Sequence, residues 1–150
     1  MGEKKLGGAG LRGQVAGNTA LSTVGKTGKG LTYRGYAIEE LSEKATFEEV
    51  AYMLLYGSLP TQSEYDAYSA KLKSFRSLPE ALKEVLERIP QTAHPMDVMR
   101  TGCSMLGNLE PEGDFSNQND TADRILASMS SIITYWYRYS HDGVKVDTAT

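Results

Sequence analysis

The chain has 150 residues, with 16 Lys and Arg, 19 Asp and Glu, and a formal net charge of −3. This length suits one ordinary soluble domain that buries a real core, and the negative charge argues against non-specific nucleic-acid binding, which needs a basic surface. A single cysteine, Cys103, excludes a disulfide framework and a cysteine zinc site, and no apolar run reaches the roughly 20 residues of a membrane-spanning helix.

The N-terminal segment is rich in glycine and lysine. We interpret residues 1–10 as a flexible tail that lacks the apolar centre of a signal peptide, so a cytoplasmic location is expected. Residues 21–24 and 31–34 are predicted to form two short strands, joined by the turn-rich residues 25–30. The expected structure of this segment is a short β-hairpin.

Two capping boxes mark the starts of helices. In each box a threonine hydroxyl can accept a hydrogen bond from the backbone N–H three residues on, and a glutamate can return one. The pairs are Thr46 with Glu49 and Thr61 with Glu64. The helix that begins after Thr46 is predicted to end at Gly57, since glycine readily adopts the left-handed conformation that follows a helix.

The second half of the chain is predicted to be helical with one long loop. Pro79 suits the first turn of one helix, and His94-Pro95 opens the next. Residues 108–119 are polar and contain proline and glycine, which predicts a loop. Residues 120–140 are predicted to form a long helix that is apolar over much of its surface and therefore lies between several neighbours. The residues after Gly143 are predicted to contain no closing helix or strand.

The segment Ala20–Thr27 fits a loose phosphate-loop pattern. A phosphate loop needs backbone N–H groups that curl around the anion, followed by a helix whose N-terminus faces it. Here the inner residues favour strands, and a second predicted strand follows instead of a helix. We therefore favour a hairpin with a basic turn over a nucleotide site.

Two other residue types could carry chemistry, the histidines and the cysteine. If Pro95 begins a helix, His94 and Cys103 lie roughly 10 Å or more apart along its axis, which argues against a nucleophile–base pair. His94 is interpreted as a helix-entry residue that bonds nearby backbone, and Cys103 as a small residue in a tight helix contact. His141 is interpreted as part of the C-terminal end of the last helix.

Basic residues form the remaining candidates for binding. A cluster on the predicted second capped helix, and a glycine-flanked arginine near the N-terminus, could hold carboxylates or phosphates, although solvated helix faces carry the same residues. Arg34 is interpreted as a buried arginine that ties loops together. The cluster and the N-terminal residue are Lys71, Lys73, Arg76 and Arg12.

Several segments together resemble the citrate synthase family. Tyr-Arg-Gly-Tyr at residues 33–36 and His-Pro-Met-Asp-Val at residues 94–98, in this order, are the most specific of them. Residues 16–26 and 133–141 resemble the 2-methylcitrate synthase branch in particular. The other matching segments are residues 10–19, 47–57 and 59–61.

The resemblance implies a mainly α fold, in which residues 11–150 form the N-terminal part of a citrate synthase-like helical large domain that is only partial here. It implies a homodimer that condenses propionyl-CoA, or less well acetyl-CoA, with oxaloacetate and water to give 2-methylcitrate and CoA. In that family an aspartate removes the proton beside the thioester, one histidine stabilises the enol and another polarises the ketone. No metal or cofactor is implied, because the acyl-CoA is a substrate.

The sequence departs from the family at the catalytic residues. The family's His-Gly-Gly-Ala-Asn-Glu segment, its Gly-His-Pro segment and its catalytic aspartate lie beyond Thr150, so no catalytic residue is assigned and residues 1–150 are expected to be inactive alone. The resemblance places Arg12 near the CoA phosphates and Lys71 or Lys73 at the substrate. The alternatives are citrate synthase proper and a non-catalytic helical interaction module on the same scaffold. Neither a nucleic-acid nor a membrane partner is expected.

Overall fold

A computed structural model describes residues 15–25 and 30–149. The predicted tail, Arg12 and residues 26–29 of the predicted turn lie outside the described residues. The chain divides into two compact units, Met1–Leu59 and Pro60–Thr150. The division falls at a Leu-Pro step, where proline disfavours helical backbone in the residue before it.

The first unit contains a small antiparallel sheet, which within the described residues has three strands in the order β1-β2-β3. The two predicted strands are confirmed in shortened form, and the third was not predicted. Arg34 and Gly35 connect β2 to β3 with positive φ values of 46° and 92°, as the tight turns of hairpins require. The strands are β1 (Ser22–Thr23), β2 (Thr32–Tyr33) and β3 (Tyr36–Ala37).

Two helices complete the first unit, α1 (Ile38–Lys44) and α2 (Phe47–Tyr56). The capping box before α2 is confirmed, since Thr46 Oγ1 accepts from the backbone N–H of Glu49 at 3.3 Å and the Glu49 carboxylate accepts from the backbone N–H of Thr46 at 2.6 Å. Helix α2 ends at Gly57 with a φ of 106°, also as predicted.

Arg34 ties its turn to α2, as the sequence predicted for a tethering arginine. Its Nη2 donates to the carbonyl oxygen of Leu54 at 3.0 Å. The side chain is half-buried and not fully buried as predicted, and its hydrogen bond to Leu54 fixes the turn against α2. The apolar interior of this unit contains the buried residues Leu41, Ala51 and Met53.

The second unit is helical. The capping box at Thr61 is confirmed. Pro79 lies at the N-cap position of its helix, one residue before the predicted first turn, and its side chain makes no capping hydrogen bond. The predicted loop at residues 108–119 is shorter than expected, because one helix continues to its start and a 3₁₀ turn at Phe115–Asn117 leads into the next helix. The helices are α3 (Gln62–Ser74), α4 (Glu80–Glu87), α5 (Pro95–Leu109) and α6 (Gln118–Asp142).

Helix α6 is the central element of this unit and packs against α3, α4 and α5, which confirms that it lies between several neighbours. A Cβ atom added at Gly102 of α5 would lie 2.5 Å from Cγ2 of Ile132 on α6, so glycine permits this close helix contact. The buried core that results consists of Leu78, Leu82, Leu86, Val98, Leu106, Ile132, Tyr135 and Trp136.

Residues 143–149 form no helix or strand, as predicted, but they return to the helices. We call residues 144–149 the C-terminal strap. Val146 packs on the core, and Thr148, which is 6% exposed, accepts a hydrogen bond at Oγ1 from the backbone N–H of Leu78 at 3.0 Å. No helix in the described part of the chain is long and apolar enough to cross a membrane.

Candidate functional site

A buried carboxylate joins α3 to α6 beside the predicted substrate-binding lysines. The side chain of Asp123 is fully buried, and one of its oxygens accepts from the hydroxyl of Tyr68 at 2.9 Å. The other oxygen pairs with Nζ of Lys71 at 2.6 Å, and the same ammonium pairs with Asp120 at 2.7 Å. A charge taken out of water needs such compensation, so this network holds the two helices together. We call Lys71, Tyr68 and Asp123 the α3–α6 cluster.

The predicted binding residues thus occupy different settings. The ammonium of Lys71 is engaged by two carboxylates and also lies 5.7 Å from the ring of Phe75. Lys73 is exposed on α3, and Arg12 lies outside the described residues. The structure does not bring Lys71 and Lys73 together around one ligand, and a contact of any of the three with substrate or CoA stays a prediction.

A second carboxylate joins α4, α6 and the strap. Glu87 accepts from the hydroxyl of Tyr135 at 2.7 Å and pairs with Nζ of Lys145 at 2.7 Å. The hydrogen bond from Lys145, followed by that from Tyr135, lowers the pKa of Glu87, and the same contact raises the pKa of Lys145. Burial, followed by the hydrogen bond to Glu87, raises the pKa of Tyr135. We call Glu87, Tyr135 and Lys145 the α4–strap cluster.

A cleft of about 360 Å³ lies between α5 and α6 and has charged side chains in its lining. Arg124 lines it and binds Glu110 through two hydrogen bonds of 2.8 and 2.9 Å, while its Nη1 donates to the carbonyl oxygen of Phe75. The hydrogen bond from Arg124 lowers the pKa of Glu110. Because Arg124 and Glu110 bind each other, this pair closes one side of the cleft.

Cys103 also lines this cleft. Its Sγ lies 3.3 Å from Sδ of Met129, and burial raises the pKa of the thiol. A thiol must lose its proton to act as a nucleophile or a metal ligand. The surroundings of Cys103 therefore favour the neutral form, which agrees with its interpretation as a packing residue.

The histidines occupy the ends of helices. Nδ1 of His94 accepts from the backbone N–H of Met96 at 3.2 Å, which confirms the helix-entry interpretation. His141 lies in the last turn of α6, stacks on the ring of Tyr137 at 4.1 Å between centroids, and contacts the Tyr137 carbonyl oxygen through Nδ1 at 3.1 Å. Within residues 15–25 and 30–149, no three His, Cys, Asp or Glu side chains gather as metal ligands would.

Comparison with known proteins shows the family of this chain, which the geometry of these side chains does not. Residues 10–150 match the family model described as "Citrate synthase, C-terminal domain". The chain belongs to the citrate synthase family. It is 70% identical over 147 residues to 2-methylcitrate synthase of Shewanella oneidensis, and this match covers 98% of this chain and 39% of that relative. It is 42% identical over 103 residues to 2-methylcitrate synthase 1 of Corynebacterium glutamicum, and this match covers 69% of this chain and 27% of that relative.

The fold agrees with this membership. The structure superposes on citrate synthase from Thermotoga maritima with a TM-score of 0.79 and 33% identity, over 89% of this chain and 35% of that one. The expected mainly α, citrate synthase-like fold is thereby confirmed. The chain spans about two fifths or less of the length of these relatives.

The α3–α6 and α4–strap clusters were missed by sequence reasoning. Lys71 and Asp123 are separated by 52 positions, and Glu87 and Lys145 by 58. No local spacing connects residues so far apart. The sequence held one indirect signal. Asp123 lies one helical turn before Ala127 on the buried face of α6, so a carboxylate at this position needs a partner.

Proposed function

We propose that the chain is the N-terminal portion of a 2-methylcitrate synthase, which condenses propionyl-CoA, or less well acetyl-CoA, with oxaloacetate and water to give 2-methylcitrate and CoA. The observation that carries the proposal is the 70% identity to the Shewanella oneidensis enzyme over nearly the whole chain. This identity is well above that to the Thermotoga maritima citrate synthase structure, at 33%.

In this proposal the proton-transfer residues lie outside residues 1–150. The positions of the three candidate side chains support it. His94 caps α5, His141 stacks on Tyr137, and Cys103 is held as a neutral thiol against Met129. Enolisation beside a thioester needs a base and an electrophile that converge on one carbon, and these three side chains have structural contacts instead.

Residues 60–149 would then serve as scaffold. The α3–α6 cluster and the α4–strap cluster fix the helices of the second unit through charged contacts. Arg12 at the CoA phosphates, and Lys71 or Lys73 at the substrate, belong to this proposal. So do assembly as a homodimer and a cytoplasmic location, and no metal or other cofactor takes part.

The test of the proposal uses a longer polypeptide that carries the family's His-Gly-Gly-Ala-Asn-Glu segment after residue 150. Thiol release is followed with oxaloacetate and either propionyl-CoA or acetyl-CoA, and the products are identified by mass. We expect 2-methylcitrate, with a higher kcat/KM for propionyl-CoA. A preference for acetyl-CoA would make the protein a citrate synthase proper, and no turnover of either thioester would favour an interaction module.

A further inference from the structure

A small cleft in the second unit, lined mostly by residues with polar groups, has no place in the proposed reaction. Its volume is about 200 Å³, and three segments form it: the link after α3, the middle of α6 and the C-terminal strap. A water molecule occupies about 30 Å³ in the liquid, so the cleft has room for a handful of waters or one small ligand. The polar residues that line it include Arg76, Ser130, Ser131, Thr134, Asp147 and Thr148.

Arg76 supplies the positive charge of this cleft. Its side chain is half-buried, and no ion pair or hydrogen bond joins its guanidinium to another described side chain, whereas Lys71 and Arg124 are both paired with carboxylates. A guanidinium offers donors in a planar fork that matches a carboxylate or a phosphate group. Arg76 therefore has free donors next to a concave surface.

Hydroxyl groups face the same space. Serine and threonine inside a helix often bond back to a carbonyl of the preceding turn, as Ser128 does to Arg124 at 2.7 Å. Among the described residues, the hydroxyls of Ser130, Ser131 and Thr134 have no such bond. These hydroxyls, which lie on adjoining positions of α6, are available to donate to a ligand.

The C-terminal strap contributes one group that favours the binding of an anion and one that opposes it. Oγ1 of Thr148 accepts from the backbone N–H of Leu78, so the hydroxyl proton remains to be donated. Asp147 carries a negative charge at the rim, and its Oδ1 accepts from the backbone N–H of Ala149 at 2.9 Å. The formal charges of Arg76 and Asp147 cancel, so any preference for an anion comes from the donor groups, and removal of the Asp147 charge would strengthen it.

We propose that this cleft binds a small oxyanion, a carboxylate or a phosphate group, through the Arg76 guanidinium and the hydroxyls of α6 and Thr148. The proposal rests on the geometry of the cleft and is independent of the proposed synthase activity. It assigns to Arg76, in the link after α3, a role in binding that is separate from the paired Lys71 on α3.

The experiment titrates the chain with inorganic phosphate and, separately, with succinate. Binding is followed by calorimetry and by the backbone amide shifts of Ser130, Ser131 and Thr134. Arg76→Gln removes the charge, and Arg88→Gln is the matched control, because Arg88 is an exposed arginine at the end of α4 that does not line the cleft. Asp147→Asn is the second variant, since it removes the opposing charge.

We expect saturable binding that Arg76→Gln weakens about tenfold or more, that Arg88→Gln leaves unchanged and that Asp147→Asn strengthens. Binding of phosphate alone assigns a phosphate group, and binding of succinate alone assigns a carboxylate. Absence of saturable binding by both anions would overturn the proposal. Equal weakening by Arg76→Gln and Arg88→Gln would also overturn it, because the effect would then come from overall charge.

Discussion

Two carboxylates in the second unit receive the same pair of donors in different surroundings. Asp123 and Glu87 each accept from a tyrosine hydroxyl and each pair with a lysine. In the α3–α6 cluster the aspartate is 0% exposed and its lysine 32%, while in the α4–strap cluster the glutamate is 15% exposed and its lysine 58%. Since water screens the second cluster more than the first, similar contacts have different energetic weight.

The stability of the second unit depends more on charge at the α3–α6 cluster than at the α4–strap cluster. Removing the partner of a buried charge leaves that charge uncompensated, whereas an exposed charge is solvated again. We therefore expect the α3–α6 cluster to be essential for stability and the α4–strap cluster to adjust it. The following predictions test that difference.

The largest effect is expected for Lys71→Met. This change leaves the buried Asp123 without its cation, and we expect the free energy of unfolding to fall by about 3 kcal/mol, measured by urea denaturation. Lys73→Met is the matched control on the exposed face of α3 and should change stability by less than about 0.5 kcal/mol. Equal losses from both variants would show that the ion pair to Asp123 has no special weight.

The tyrosines allow a sharper comparison. Tyr68→Phe and Tyr135→Phe each remove one hydroxyl and keep the ring. We expect losses of about 2 kcal/mol for Tyr68→Phe and about 1 kcal/mol for Tyr135→Phe, because a hydrogen bond to a fully buried carboxylate has no water to replace it. The reverse order, from urea midpoints measured under identical conditions, would contradict the ranking of the two clusters.

Lys145→Met should have a smaller effect than either tyrosine change. The lysine is exposed, so water can replace it at Glu87, and high salt should reduce the difference from the unmodified chain further. The measurement is the melting temperature at low and high salt. A larger loss of stability for Lys145→Met than for Lys71→Met would contradict the ranking of the two clusters.

The smallest effect is a pH dependence that belongs to Glu87. Its pKa is lowered from an ordinary value of 4.5, so its contribution to stability is present above pH 4.5 and is lost as the pH falls through the lowered value. Stability measured from pH 7 to pH 3 should decline less steeply in Glu87→Gln than in the unmodified chain. Parallel curves would show that the carboxylate adds no pH-dependent stability.

Local signals in the sequence predicted much of the fold. The capping boxes at Thr46 and Thr61, the helix end at Gly57 and the role of His94 depend on residues a few positions apart, and all are confirmed. The strand at Tyr36–Ala37 was missed, because two residues carry no detectable alternation and the turn before it uses an arginine at positive φ.

Charged contacts between distant segments could not be predicted in the same way. Lys71 was assigned to substrate on charge and resemblance alone, and its contacts with Asp120 and Asp123 depend on how α3 meets α6. The packing of the strap was not predicted, since Val146 and Thr148 form no periodic pattern. Their burial follows from the path of the chain after Gly143, which is a property of the packed unit.

The most direct test of the account asks whether residues 1–150 have any chemistry of their own. The purified chain, free of contaminating synthase, is incubated with propionyl-CoA and oxaloacetate, and 2-methylcitrate is measured by mass spectrometry. The account predicts no product above the uncatalysed background. Formation of 2-methylcitrate at a rate proportional to chain concentration would contradict it.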